Sequence, residues 1–278
     1  AQDTTYIDYS KHFKTKGLGR SFKNHGHDIK GICQHVGLAM TEKGLPLGLI
    51  YNKLWNRKDN HLSEYKRSSL PIQLLESHRW IECMKNAKKY LENEDIVLVS
   101  DREGDIYECF ETAYELDVDV VIRSQHNRII EDDLKLTEAL SLEKSCGVYN
   151  VTIPSGGGRK KQSLKLEIRH KRIELKARPS DQVSNKNRYR KDLEIYVVDA
   201  SDAEEGVNWR ILTTLPVKTK EDAIEILEIY KKRWNVELYF KSLKTGCSIE
   251  DCRLGESGKL VKYISLMSVI AWRIFWIN

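Results

Sequence analysis

Apolar positions change their period along the chain, and each change predicts a different kind of element. Ile29 to Met40 and Leu45 to Trp55 are rich in β-formers, and Thr41-Glu42-Lys43-Gly44 between them predicts a hairpin. Apolar residues at 72, 75, 81, 84 and 91 mark one face of a helix from Pro71 to about Leu91, with proline near its first turn. The unbroken run Ile96-Val97-Leu98-Val99 predicts a buried strand, which stops at Ser100-Asp101. Strand tips of open α/β sheets are where ligands bind, so Asp101 stands at a chemically favoured place. A helix over Asp105 to Tyr114 and a strand over Val118 to Arg123 follow.

From Gln125 to Thr214 the period becomes two: Leu164, Leu166 and Ile168 alternate with polar residues, as do Ile173, Leu175 and Ala177, then Leu193, Ile195 and Val197. Helical periodicity returns at Lys220 and runs through Lys244, and a polar link around Gly255-Glu256-Ser257-Gly258 leads to an apolar last helix. The expected class is therefore α/β with an antiparallel β-rich insertion. Residues 1–124 form the first part of the core, 125–214 the insertion, and 215–278 the final helices.

Composition narrows the class. With 278 residues, 40% apolar, 31% charged and only five prolines, the chain is neither collagen-like, low-complexity nor disordered. The polar opening Ala1-Gln2-Asp3-Thr4-Thr5 does not read as a signal peptide. Lys262 and Arg273 interrupt the apolar stretch from Leu260 to Ile277, so a core helix is expected there and no membrane partner. Six cysteines without Cys-x-x-Cys spacing read as reduced thiols of a cytosolic protein.

Charge is unevenly distributed. Between Arg159 and Lys191 thirteen Lys and Arg stand against three acids, a net +10 that leaves the remaining chain at −5. One basic segment on an otherwise acidic chain suits a polyanion, and nucleic-acid phosphates bind such segments by counterion release. A solvated charged hairpin is the plainer alternative.

On the helix expected from Lys220 to Lys244, Tyr230, Arg233, Glu237 and Lys244 fall within roughly 60° of one face. One carboxylate then lies between two cations with an aromatic hydroxyl above, which suits phosphates around a bound metal. Ordinary i,i+4 pairs on an exposed helix would produce the same spacing, each contributing about 0.3–0.5 kcal/mol.

The pattern Tyr230-x2-Arg233-x3-Glu237-x6-Lys244 resembles the signature of bacterial DDE transposases of insertion-sequence family four, which includes the transposon-five transposase. Gln2-Asp3-Thr4-Thr5 is similar to that family's first-strand aspartate segment, and Ser100-Asp101-Arg102-Glu103-Gly104-Asp105 to its second. Glu76-Ser77-His78-Arg79-Trp80 and Trp209-Arg210-Ile211-Leu212-Thr213-Thr214 match more weakly.

The resemblance implies a ribonuclease-H-like, retroviral-integrase-like core with a β-rich insertion before the glutamate helix. It implies a catalytic triad of Asp3, Asp101 and Glu237 holding two Mg²⁺ ions, with Mn²⁺ able to substitute. Carboxylate oxygens are hard ligands suited to Mg²⁺, and two such ions stabilise both the attacking and leaving oxygens of an in-line phosphoryl displacement. Glu103 and Asp105 compete with Asp101, and Asp8 with Asp3, but a helix after the strand would turn the former elsewhere, and odd spacing puts Asp3 and Asp8 on opposite strand faces.

The resemblance also implies that Arg233, Lys244 and Tyr230 contact transposon-end phosphates, with Arg123 at a strand tip a further contact and Lys160 and Lys161 part of the basic footprint. Trp209 either stacks a flipped base or packs in the core. The implied activity is cut-and-paste DNA transposition and recombination through a hairpin, on double-stranded transposon ends and target DNA. The implied setting is a homodimer on DNA, in the bacterial cytoplasm at the nucleoid. Asp3 is the third residue, so the chain reads as a catalytic core lacking the family's flanking recognition and dimerisation regions; an inert DNA-binding remnant that interferes with an intact transposase is the alternative.

Other chemistries have weaker support. His25-Gly26-His27-Asp28 lacks a partner cluster, Cys247 and Cys252 lack a second Cys/His pair at zinc spacing, and Gly156-Gly157-Gly158 carries no phosphate-loop pattern.

Overall fold

The computed structural model describes residues 1–24, 27–57, 70–130, 134–153, 162–176, 192–202 and 204–277. They fall into two compact units, one of Ala1–Glu94 with Lys232–Asn278 and one of Asp95–Lys231.

The first unit is built on an antiparallel sheet of β1 (Gln2–Asp8), β2 (Gly19–Asn24), β3 (His27–Met40) and β4 (Pro46–Trp55). Strand β3 is its spine. Residues 33–37 of β3 pair with both β1 and β4, so those two strands lie on opposite edges. Being central, β3 is buried from Gly31 to Leu38, which is why its sequence does not alternate apolar with polar. Alternate side chains instead meet different helices. Ile32, Val36 and Leu38 join Ile7 in a core with Val236, Tyr239 and Phe240 of α5 (Trp234–Lys241) and Leu260, Ile264 and Ala271 of α6 (Ser257–Ile277). Full burial of each large aliphatic side chain contributes about 1.5–3 kcal/mol.

On the opposite face α1 (His78–Tyr90) lies against β3 and β4, with Trp80 against His35 at a ring-centroid distance of 4.6 Å. Gly37 is required by that approach, because a β-carbon there would stand 2.5 Å from Cys83 Sγ. The buried Gln34 amide of β3 donates from Nε2 to Asn52 Oδ1 at 2.9 Å and to Ser268 Oγ at 2.8 Å.

The second unit carries a six-stranded sheet. Strands β5 (Val97–Ser100) and β6 (Asp119–Arg123) are parallel, joined by α2 (Tyr107–Leu116). Beyond β6 come β10 (Val207–Thr213), β9 (Leu193–Asp202), β8 (Gln162–Leu175) and β7 (Gly147–Ile153), all antiparallel. The strands of the period-two region thus continue the sheet that holds β5. Helix α4 (Lys220–Lys231) buries Ala223, Ile226, Leu227 and Tyr230 against Val99, Val121, Leu166, Val198 and Ile211.

Several elements differ from the sequence expectation. The helix expected from Pro71 opens as a 3₁₀ turn, Ile72–Leu74, and Leu75 is extended, so α1 starts only at His78. Within the period-two region a short helix, α3 (Leu136–Leu142), buries Leu136, Ala139 and Leu140, and its Glu138 carboxylate accepts the Lys135 backbone N–H at 3.1 Å. The expected helix from Lys220 to Lys244 is broken. Its residues divide into α4, a turn at 232–233, α5 and a π-helical turn at Ser242–Gly246. Helix α6 is long and apolar enough to cross a membrane by length and composition, yet buries a single stripe of Leu260, Ile264, Ser268 and Ala271 in the first unit's core. Leu266, Val269 and Trp276 are exposed, so only one face of it is a core helix.

Candidate active site

In the first unit, Asp3 lies on β1 and Glu237 on the first turn of α5, and one side chain joins them. Arg233 Nη1 donates to Asp3 Oδ2 at 3.0 Å, and Arg233 Nη2 donates to Glu237 Oε1. Asp3 Oδ1 also accepts the Thr4 backbone N–H at 2.7 Å. The guanidinium is 15% exposed and the Asp3 side chain 14%, whereas Glu237 retains 34%. Ordinary pairing along an exposed helix accounts for Arg233 with Glu237 but not for Asp3. Charge-assisted bonds at this burial are stronger than surface pairs, and they fix both carboxylates about one planar cation.

Strand β1 is held from behind. Thr4 Oγ1 lies 2.8 Å from His35 Nδ1 and accepts from Arg79 Nε at 2.9 Å, and His35 Nε2 is 3.3 Å from Gln2 Oε1. Burial, with the charges of Arg79 and Lys53, pushes the His35 pKa well below its ordinary value, so this imidazole is neutral. Lys244 lies on the π-helical turn and donates to the Tyr6 carbonyl at 2.6 Å, with Glu250 Oε1 at 3.6 Å. The same Glu250 oxygen accepts the Asp8 backbone N–H at 3.0 Å. His35, Thr4 and Glu250 were not among the expected site residues. Arg79 lies in the segment Glu76 to Trp80 and Thr4 in Gln2 to Thr5, and these two matches are the sequence signals for this support.

In the second unit, Asp101 follows the tip of β5, as expected. Its Oδ1 accepts the Glu103 N–H at 2.9 Å and caps the 3₁₀ turn Arg102–Gly104. Asp105 does not sit on the expected helix. It is buried, ion-paired to Arg128 Nη2 at 2.5 Å, and accepts the Gln125 backbone N–H at 2.7 Å, so it fastens the loop after β6. Glu103 remains on the 3₁₀ turn.

Tyr230 is almost wholly buried on α4, edge-on to the half-buried Trp209 ring at 6.2 Å. Both join the sheet's core, and the break at 232–233 assigns Tyr230 to the second unit and Arg233, Glu237 and Lys244 to the first. Arg123 Nη2 donates to the Asn208 carbonyl at 3.0 Å. Lys160 and Lys161 lie outside the described residues. In the described part of the basic segment each of three cations has a carboxylate partner: Arg169 with Glu167, Lys171 with Glu143 and Arg172 with Glu194.

The family profile described as Transposase DDE domain matches residues 73–272, more than two thirds of the chain. The chain belongs to that family. The DDE match spans Asp101, Arg233, Glu237 and Lys244, and Asp3 lies upstream of it. A piggyBac transposase, solved by cryo-electron microscopy in a synaptic complex with hairpin DNA, is similar in fold, with a TM-score of 0.50 at 10% identity. The similarity covers 99% of this chain and 46% of that one, so the chain spans about half the length of that transposase. The mixed α/β fold is thus shared with that transposase.

Domains of this family use divalent metals. Among the described residues no three His, Cys, Asp or Glu side chains gather into a ready metal cluster. The donor chemistry nevertheless fits. Asp3 and Glu237 supply hard carboxylate oxygens already turned onto one cationic group, and Mg²⁺ takes one or two carboxylates and completes its shell with water and phosphate.

Proposed function

We propose that this chain is the catalytic core of a DNA transposase of the cut-and-paste type, cleaving double-stranded DNA at transposon ends and joining the freed end to a target. The observation that carries the reading is the convergence of Asp3 and Glu237 on Arg233, within a chain of the DDE family. Asp3, Asp101 and Glu237 are the proposed ligands of two Mg²⁺ ions, which Mn²⁺ replaces. When bound, such ions supply charge stabilisation for the attacking and leaving oxygens of an in-line displacement.

The chain's own groups do the positioning. Asp3 is presented by a central, helix-backed sheet and Asp101 by a capped strand tip, so neither carboxylate needs reordering before use. In the first reaction water adds to the scissile phosphorus and the P–O3′ bond breaks, leaving a 3′-hydroxyl and a 5′-phosphate. The 3′-hydroxyl then attacks a phosphorus of the opposite strand, closing a hairpin and releasing the 3′-hydroxyl of the flanking DNA; water reopens the hairpin, and the regenerated 3′-hydroxyl attacks a target phosphorus, releasing a target 3′-hydroxyl. The similar transposase's complex with hairpin DNA supports a hairpin intermediate. Arg233, Lys244 and Arg123 neutralise phosphates, Tyr230 adds a hydroxyl contact, and Lys160 and Lys161 add to the electrostatic footprint of the β-rich insertion, residues 125–214. Trp209, half-buried on β10, is the ring on which a flipped base stacks. The enzyme works as a homodimer on paired ends, in the bacterial cytoplasm at nucleoid DNA.

The test is incubation of the chain, joined to an end-recognition domain, with end DNA and Mn²⁺. Metal-dependent nicks leaving a 3′-hydroxyl are expected; DNA binding without nicks at any metal concentration would make it an inert remnant.

A further inference from the structure

We infer that the Arg233 guanidinium is an exchangeable counter-cation: it occupies the position between Asp3 and Glu237 in the DNA-free protein and leaves it when a divalent cation binds, becoming available to a DNA phosphate. The inference rests on the proposed metal site and adds to it a coupling between metal and DNA.

Three observations support the exchange. Both outer nitrogens of one guanidinium are used on carboxylates from separate parts of the first unit, Nη1 on Asp3 at 3.0 Å and Nη2 on Glu237. A planar cation bridging two carboxylates takes up oxygens that a divalent ion would use and repels that ion by its own charge, so the two occupants compete. Arg233 stands at the start of α5 with helical backbone angles, φ −53° and ψ −34°, so its side chain can swing out by torsion alone while the helix stays in place. Glu237 is the more exposed carboxylate at 34%, against 14% for Asp3, which gives an incoming hydrated ion a side from which to enter.

The consequence is linkage. A phosphate that captures the guanidinium removes the competitor from the carboxylates, so DNA tightens metal binding and metal tightens DNA binding by the same factor. In the DNA-free state the arginine keeps two carboxylates together that would otherwise repel, and it holds metal affinity down.

Mn²⁺ binding to the DNA-free protein, followed by the electron paramagnetic resonance signal of free Mn²⁺, tests the exchange. Arg233→Gln is expected to bind Mn²⁺ more tightly than the unaltered chain, by roughly tenfold, within the usual range of couplings. Arg233→Lys, which keeps one charge but cannot bridge two carboxylates bidentately, should fall between them. Adding duplex DNA at low salt should tighten Mn²⁺ binding to the unaltered chain by a larger factor than to Arg233→Gln, in which only direct phosphate ligation of the ion remains. Circular dichroism melts establish that each variant is folded. Equal or weaker Mn²⁺ binding by both folded arginine variants overturns the exchange while leaving the metal site intact, provided Asp3→Asn and Glu237→Gln abolish binding. Mn²⁺ binding that neither of those carboxylate substitutions alters overturns the proposed function itself, and the exchange with it.

Discussion

Arg233 Nη1 lies 3.0 Å from Asp3 Oδ2 although 230 residues separate them in sequence. This bond ties the first strand to the start of α5 and closes the first unit's chain ends onto each other. Asp3→Asn keeps the size of the side chain but removes its charge, so the mostly buried guanidinium keeps its ion pair with Glu237 and loses the one with Asp3. The metal-free protein should lose about 1.5–3 kcal/mol of stability, the range for a hydrogen bond to a charged group. Chemical denaturation of the single variants and of Asp3→Asn with Glu237→Gln measures the coupling. The double variant should cost less than the sum of the singles if both carboxylates share one cation.

Asp101 and Asp105 are four residues apart, and opposite responses are expected of them. Asp101→Asn retains an oxygen that accepts the Glu103 N–H, so the turn should stay capped and the melting temperature nearly constant, while cleavage falls by about a hundredfold or more. Asp105→Ala leaves Arg128, itself only 12% exposed, without its ion-pair partner and strips an acceptor from Gln125 N–H. That should cost about 3–5 kcal/mol, visible as a lowered denaturation midpoint. A cleavage defect in Asp105→Ala with unchanged stability would exchange the assignments.

These two aspartates also show how far a sequence reading reaches. Local pattern was enough for β5, β6 and the β3–β4 hairpin, because runs such as Val97 to Ser100 and the Thr41–Gly44 link are decided within a few residues. It was not enough for the helix from 220 to 244. Each of its residues tolerates a helix, and the break at 232–233 follows from burial: Tyr230 is held in one core and Val236 in another. The Tyr230 to Lys244 stripe was therefore legible as a pattern but not as a shape. Likewise nothing local in His35 or Glu250 announces support for β1, since their partners lie at sequence separations of 31 residues for His35 with Thr4 and 242 for Glu250 with Asp8. Glu237 with Arg233 was legible through i,i+4 spacing, whereas the bond from Arg233 to Asp3 depends on tertiary closure.

His35 should make stability depend on pH. Its folded pKa lies well below 6.5, held there by burial first and by the charges of Arg79 and Lys53. An unfolded histidine takes up a proton near 6.5, so between that value and the depressed folded one the unfolded state binds more protons and stability rises with pH. The stabilisation is present above about 6.5 and is lost as pH falls below it. Denaturation midpoints from pH 7 to 5.5 should decline, and His35→Gln should flatten that decline even if it lowers the whole curve. His78, also shifted down by burial, leaves a smaller residual slope, which His78→Gln should remove.

Lys244 separates a bracing role from a DNA role by the salt dependence of binding. Its ammonium donates to the Tyr6 carbonyl at 2.6 Å and faces Glu250 at 3.6 Å, and Glu250 in turn accepts the Asp8 N–H, so lysine and glutamate together stitch the end of β1 to the π-helical turn. Lys244→Gln shortens the reach and removes the charge, and with the side chain 31% exposed the loss in stability should stay near 1 kcal/mol. As a phosphate contact in the DNA complex, the same substitution should lower the slope of log affinity against log salt by about 0.9, uniformly across DNA sequences. Lys160→Gln with Lys161→Gln, in the basic segment, should lower it by up to about 1.8 on the same rule. Binding isotherms at several salt concentrations decide the matter. A Lys244→Gln protein that loses stability but keeps the full salt slope would confine this lysine to bracing β1, and the proposed phosphate grip would then rest on Arg233 and Arg123.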